Sequence, residues 1–171
     1  MSAEIVILTE EDGRDNSAYL KKWIEKNKLR AHGVLVPEIK GVRYFYNPYM
    51  DVKVEVEPQQ KVKDPDKIYE SRDEVYSKKA YKVAASWLRM KPPLNSDYFL
   101  IDGIGRLELE DEGLEPELGR VIKAAKDGKM DHCLLLGVRI GCKTKVIKKY
   151  SLHSARTIYH EDLQDLLEDS E

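Results

Sequence analysis

Three short apolar runs, Ile5–Leu8, residues 98–101 and Cys133–Val138, carry no charged residue and are separated by stretches with helical spacing. A strand with one wet face alternates apolar and polar residues. A run that is apolar throughout needs cover on both faces, as in a parallel sheet flanked by helices. The alternation of such runs with helical patterns predicts a three-layer α/β sandwich with a mainly parallel sheet. In sheets of this kind ligands gather beyond the carboxyl ends of the strands, so the segments after Leu8, Ile101 and Val138 are the places to inspect. At 171 residues the chain is expected to form a single domain, 1–171.

Between the first and second runs the pattern changes. Residues 33–37, 42–46 and 52–56 alternate in short segments, with Gly41 and Asn47-Pro48-Tyr49 between them, which predicts a small antiparallel excursion over about 33–57. Residues 59–72 are charged in both signs and read as a solvated loop. A helix is expected from about Ser77, where Ala80, Val83, Ala84, Trp87 and Leu88 recur at helical spacing, and Pro92-Pro93 stops it. Further helices are expected near 114–126, 142–149 and 161–167, followed by an acidic, frayed tail at about 168–171.

The segment after the first run, Thr9-Glu10-Glu11-Asp12-Gly13-Arg14-Asp15-Asn16-Ser17, links a strand to a helical pattern ending near Asn27. That is the setting of a phosphate-binding P-loop, whose pattern is Gly, four residues, Gly, Lys, then Ser or Thr. In register, Glu10 and Asp15 stand for the two glycines, Asn16 for the lysine, and Ser17 matches; Gly13 lies inside the loop. Two like charges 4 Å apart repel by about 1 kcal/mol in water and about 4 kcal/mol at an effective dielectric of 20. A helix N-terminus returns about 0.3–1 kcal/mol to an exposed anion, and up to about 2 kcal/mol in favourable geometry. Acidic side chains here therefore oppose a triphosphate more strongly than the helix end attracts it. Without ligand, this is an acidic strand-to-helix turn in which Asp15, Asn16 or Ser17 caps the helix.

The second run ends Tyr98-Phe99-Leu100-Ile101-Asp102-Gly103-Ile104-Gly105-Arg106-Leu107-Glu108-Leu109. An apolar strand ending in Asp is the Walker-B arrangement, whose carboxylate helps hold magnesium. Here the chain resembles the small P-loop nucleoside-triphosphatase family of the cancer-related nucleoside-triphosphatase type. That family typically shows Asp-Glu-Ile-Gly-Lys-Met-Glu-Leu where this chain has residues 102–109. Gly33-Val34-Leu35-Val36-Pro37-Glu38 and Arg43-Tyr44-Phe45 are similar to its Gly-Phe-Leu-Thr-Pro-Glu and Arg-x-Gly-Phe regions. Val75-Tyr76-Ser77-Lys78-Lys79-Ala80-Tyr81 and Leu136-Gly137-Val138-Arg139 resemble family segments more loosely. The resemblance implies a P-loop NTPase-like sandwich with degenerate Walker A and Walker B motifs. It implies nucleotide-binding positions at Gly13, Asn16, Ser17, Arg106 and Arg139, and magnesium ligands at Ser17 and Asp102 if a nucleotide binds. The family's water-activating acid after the Walker-B Asp is matched by Gly103, so no catalytic residue is assigned and no cofactor is required.

These departures predict a catalytically inactive protein that acts by protein interaction or regulation. The alternatives are a magnesium-dependent nucleoside triphosphatase with an unorthodox site, in which Arg106 or Arg139 supplies the missing charge and Glu108 or Glu11 orients water, and a binding module for a cationic ligand or metal. Tyr44, Tyr46 and Tyr49 with Arg43 are either packing groups or a partner-binding surface, since Tyr and Arg are enriched at interface hot spots. Net charge −2 and a pI near 6.1 give no basic face for nucleic acid. No apolar run is long enough for a membrane span and no signal-peptide pattern opens the chain, so a cytoplasmic setting without membrane contact is expected. His32, His132, His153 and His160 are dispersed, and Cys133 and Cys142 lack metal-like spacing.

Overall fold

The computed structural model describes residues 4–9, 15–58, 64–71 and 74–168. The acidic segment 10–14, with Gly13, and the tail beyond Glu168 lie outside the described residues.

The chain opens with β1 (Ile5–Leu8), α1 (Asn16–Asn27) and β2 (Ala31–Val34), then β3 (Glu38–Ile39), β4 (Val42–Asn47) and β5 (Val52–Glu55). A hairpin of β6 (Ile68–Ser71) and β7 (Glu74–Ser77) leads into α2 (Lys78–Arg89) and β8 (Tyr98–Ile104). After α3 (Arg106–Leu109) and α4 (Glu117–Lys126) come β9 (Cys133–Val138), α5 (Lys143–Tyr150), β10 (Arg156–Ile158) and α6 (Leu163–Glu168), the last preceded by a 3-10 turn at His160–Asp162.

Five strands form the central sheet in the order β10-β1-β9-β8-β2, and every pairing in it is parallel. Successive side chains on each strand go to opposite faces. Ile7, Phe99, Ile101, Leu134 and Leu136 pack under α2, α4 and α5, together with Ala84, Leu118, Ile122 and Val146. Val6, Leu8, Tyr98, Leu100 and Leu135 pack under α1 and α6, against Leu20, Trp23, Leu163 and Leu166. The mainly parallel three-layer sandwich expected from the apolar runs is thus the fold.

Local chemistry sets the helix ends. Asp15 caps α1, its carboxylate accepting from Ser17 N at 2.9 Å, and Lys28 closes the helix in the left-handed region. Ser77 Oγ accepts from Ala80 N at 3.2 Å and starts α2 where the sequence places it.

The antiparallel excursion is smaller than the pattern over 33–57 suggested. Gly33 and Val34 belong to β2, which runs parallel to β8 in the main sheet; Leu35 then bridges to Tyr46 of β4. The alternation of residues 33–37 records a strand whose end leaves one sheet for another. Residues 68–71, read as solvated loop, pair with β7 instead, and Ile68 is buried. The short strand β10 and the single turn α3 carry no pattern long enough to announce them.

Candidate functional site

The main feature of the site is a break in the β8–β9 ladder. Ile101 faces Leu136 and Ile104 faces Val138, so Asp102 and Gly103 together oppose Gly137. Two residues against one is a β-bulge, which re-aims a side chain out of the regular alternation. Gly103 has φ +84 and Gly137 has no side chain to obstruct the carboxylate: a Cβ there would stand 2.0 Å from Asp102 Oδ1. The bulge directs Asp102 toward the start of α1.

There it meets a buried polar chain. Ser17 Oγ donates to Asp102 Oδ2 and accepts from Val36 N at 2.7 Å. Asn16 Nδ2 donates to Asp102 Oδ1 at 3.4 Å, while Asn16 Oδ1 lies 2.6 Å from His160 Nε2. With the amide nitrogen turned to the carboxylate, the facing oxygen requires Nε2 to be the protonated imidazole nitrogen. Tyr19 stacks on His160 with ring centroids 4.1 Å apart. Asn16, Ser17, Asp102 and His160 are all buried. Burial pushes the Asp102 carboxyl above its ordinary range, opposed by hydrogen bonds from Ser17, the Gly103 backbone and Asn16.

Beside this chain a cavity of about 320 Å³ is lined by Asn16, Asp102, Gly103, Arg43 and Arg139. A larger one, about 780 Å³, extends from Gly103 and Arg139 past Tyr76, Tyr81 and Glu108 to Arg106. Arg139 follows β9, and its stem lies over Gly105, where a Cβ would meet Arg139 Cδ at 2.8 Å. Its Nε donates to Gly103 O at 3.4 Å. Glu108 is 1 % exposed and accepts from Gly105 N at 2.9 Å and Leu114 N at 3.1 Å. Burial, opposed by those amides, pushes its carboxyl up to about 7.

The residues singled out from the sequence therefore fall into two groups. Asn16, Ser17, Asp102 and Arg139 converge, and Arg106 lies on the rim of the larger cavity. Arg43 does not join the tyrosines it was grouped with; it pairs with Glu57 at 3.4 Å and Glu74 at 3.7 Å and lies over the Tyr76 ring. Tyr44 and Tyr46 lie beneath Lys53 and Lys21, and Tyr49 is 58 % exposed in the following turn. His160, 144 residues from Asn16, gave no sequence signal, because the strand that delivers it, β10, spans three residues. Among the described residues no group of three or more His, Cys, Asp or Glu side chains could hold a metal ion, and no helix is long and apolar enough to cross a membrane.

The parallel sheet, the bulged strand ending in Asp102 and the helix beginning at Asn16 form a P-loop NTPase-like α/β fold. Two solved structures share it along nearly their whole length. One is the solution structure of a human cancer-related nucleoside triphosphatase, with TM-score 0.66 and 14 % identity over 99 % of this chain and 98 % of that one. The other is the crystal structure of THEP1 from the hyperthermophile Aquifex aeolicus, with TM-score 0.63 and 18 % identity over 98 % and 96 %. No protein-family model and no curated protein matches the sequence.

Proposed function

We propose that this chain is a P-loop NTPase-type scaffold that does not hydrolyse nucleotides and acts by binding or regulating another protein. The observation that carries this reading is the position of Asn16. Where the P-loop pattern places a lysine for the β- and γ-phosphates, a neutral carboxamide is buried between Asp102 and His160 with both its ends hydrogen-bonded. Freeing it for a ligand would leave buried polar atoms unpaired, at about 1–3 kcal/mol each. Gly103 at the position after the Walker-B Asp supplies no water-orienting carboxylate, and residues 10–12 are acidic.

One observation favours the rival reading, a magnesium-dependent nucleoside triphosphatase. The Ser17 hydroxyl and the Asp102 carboxylate are in contact, and both are the hard oxygen donors that suit magnesium. These two residues would hold the ion, which would supply charge neutralisation for phosphates. Arg139, which lines the cavity beside Asp102 and feels its charge, would then supply a nearby cation.

Titration of the purified protein with ATP and GTP plus magnesium, run beside a phosphate-release assay, separates the two readings. The expected outcome is no turnover above buffer. Saturable binding with phosphate release that disappears in Asp102→Ala establishes the triphosphatase instead.

A further inference from the structure

We propose that the 780 Å³ cavity beyond Asp102 is a binding site for a small organic oxyanion, a phosphate monoester or a carboxylate, held between Arg139 and Tyr81. This goes beyond the preceding reading, because it requires neither the first loop nor a nucleotide.

The Arg139 side chain carries five N–H donors, and among the described residues its single side-chain hydrogen bond runs from Nε to Gly103 O. No carboxylate among those residues lies within ion-pair distance of it. Glu108 and Asp102 favour its charge from a distance, but neither pairs with it, so most of its N–H donors are open to an anion. Tyr81 is the second, independent signal. It is 4 % exposed, it lines the same cavity, and its hydroxyl makes no hydrogen bond among the described residues. Burial raises the phenol's pKa, so it stays protonated and presents a donor.

Of the three acids on the wall, Glu110 is solvent-exposed, and the other two are engaged. Glu74 accepts from Tyr76 and pairs with Arg43 at 3.7 Å, and Glu108 is tied to the Gly105 and Leu114 amides. Arg106 and Lys145 stand on the rim. The volume falls within the roughly 300–1,000 Å³ of small-molecule sites. The planar guanidinium fork matches two oxygens of a carboxylate or a phosphate, and the phenol supplies one further donor.

The test is an NMR titration of the full chain, with inorganic phosphate in one arm and malonate in the other. It follows the Arg139 side-chain Nε resonance and the Ser17 backbone amide. A saturable Arg139 shift in either arm is expected, and the arm that responds names the anion class. Tyr81→Phe should weaken the responding anion about tenfold, the loss of one hydrogen bond to a charged group, and Arg139→Gln should weaken it at least as much. No Arg139 shift in either arm overturns the proposal. So does an Arg139 shift with unchanged affinity in Tyr81→Phe, or a shift confined to Ser17, which would place the anion at the first loop. The wild-type titration decides even if a variant does not fold. The phosphate-release assay decides the earlier reading independently.

Discussion

Glu108 is a carboxylate whose environment both requires and resists its charge. Its two oxygens serve the backbone N–H groups of Gly105 and Leu114. Gly113, at φ +66, has no Cβ to obstruct it; one would stand 1.9 Å from Oε2. Burial raises its folded pKa from 4.5 to about 7, so the folded state holds this proton more tightly than the unfolded chain does. Its contribution is fully present below pH 4.5 and is lost as pH rises through 7, an effect of about 3 kcal/mol. Glu108→Gln keeps the shape but turns an NH₂ toward a backbone N–H. It is expected to be less stable than wild type at pH 5 by about 1–3 kcal/mol, and to gain about 2.5 kcal/mol relative to wild type by pH 8, so that the difference closes or reverses there. Urea unfolding at the two pH values checks this; parallel pH dependences in the two proteins rule it out. Asn16 supplies a second test at this scale. Asn16→Lys would place a cation where the P-loop pattern has its lysine but removes the acceptor for His160, so on the proposed reading a lower thermal midpoint and still no phosphate release are expected.

At the scale of elements, the bulge in β8 organises the site, and Gly137 on β9 makes room for it. Gly137→Ala would put a Cβ 2.0 Å from Asp102 Oδ1 and displace the carboxylate from Ser17 and Asn16. Overpacking of this kind costs about 1–3 kcal/mol, which lowers the melting temperature of a chain this size by about 2–4 °C per kcal/mol. A thermal midpoint equal to wild type would mean that Asp102 is not held as described. The elements legible in the sequence were those whose burial is written into every residue. β1 and β9 have the bounds of their apolar runs, and α2 starts at the capping Ser77. β2 was misread because its last residues alternate as they pass from one sheet to the other. The bulge was not legible either, since it exists only in the register between two strands. Ser17 and Asp102 could be found because pattern spacing places them; His160, Tyr81 and Glu74 could not, because their roles arise from neighbours distant in sequence.

Across the whole molecule, two buried titratable groups at opposite ends of the sheet have opposite pH signs. Near the amino ends of β2 and β9, His32 Nε2 lies 2.9 Å from His132 Nε2. Burial, reinforced by the neighbouring His132, lowers the His32 pKa from 6.5 to about 4. That contribution is present above pH 6.5 and is lost as pH falls through 4, about 3 kcal/mol in all. Glu108, beyond the carboxyl ends, gains stability over nearly the same descent. The two effects oppose each other, so single variants should reveal what wild type conceals. Compared with wild type, His32→Gln should lose less stability on acidification from pH 7 to 4.5, and Glu108→Gln should lose more. Denaturant midpoints across that range test the pair, and a shift of the same sign in both variants contradicts it.

The link between Asn16 and His160 spans 144 residues of chain, and this has a consequence for biosynthesis. A nascent chain that has emerged through Val138 already holds four of the five strands of the central sheet, all but β10. It still lacks the imidazole that occupies Asn16 Oδ1. The carboxamide beside Asp102 gains this neighbour only after β10 and the turn that follows it have left the ribosome, so the interior of the site is completed after the first four strands.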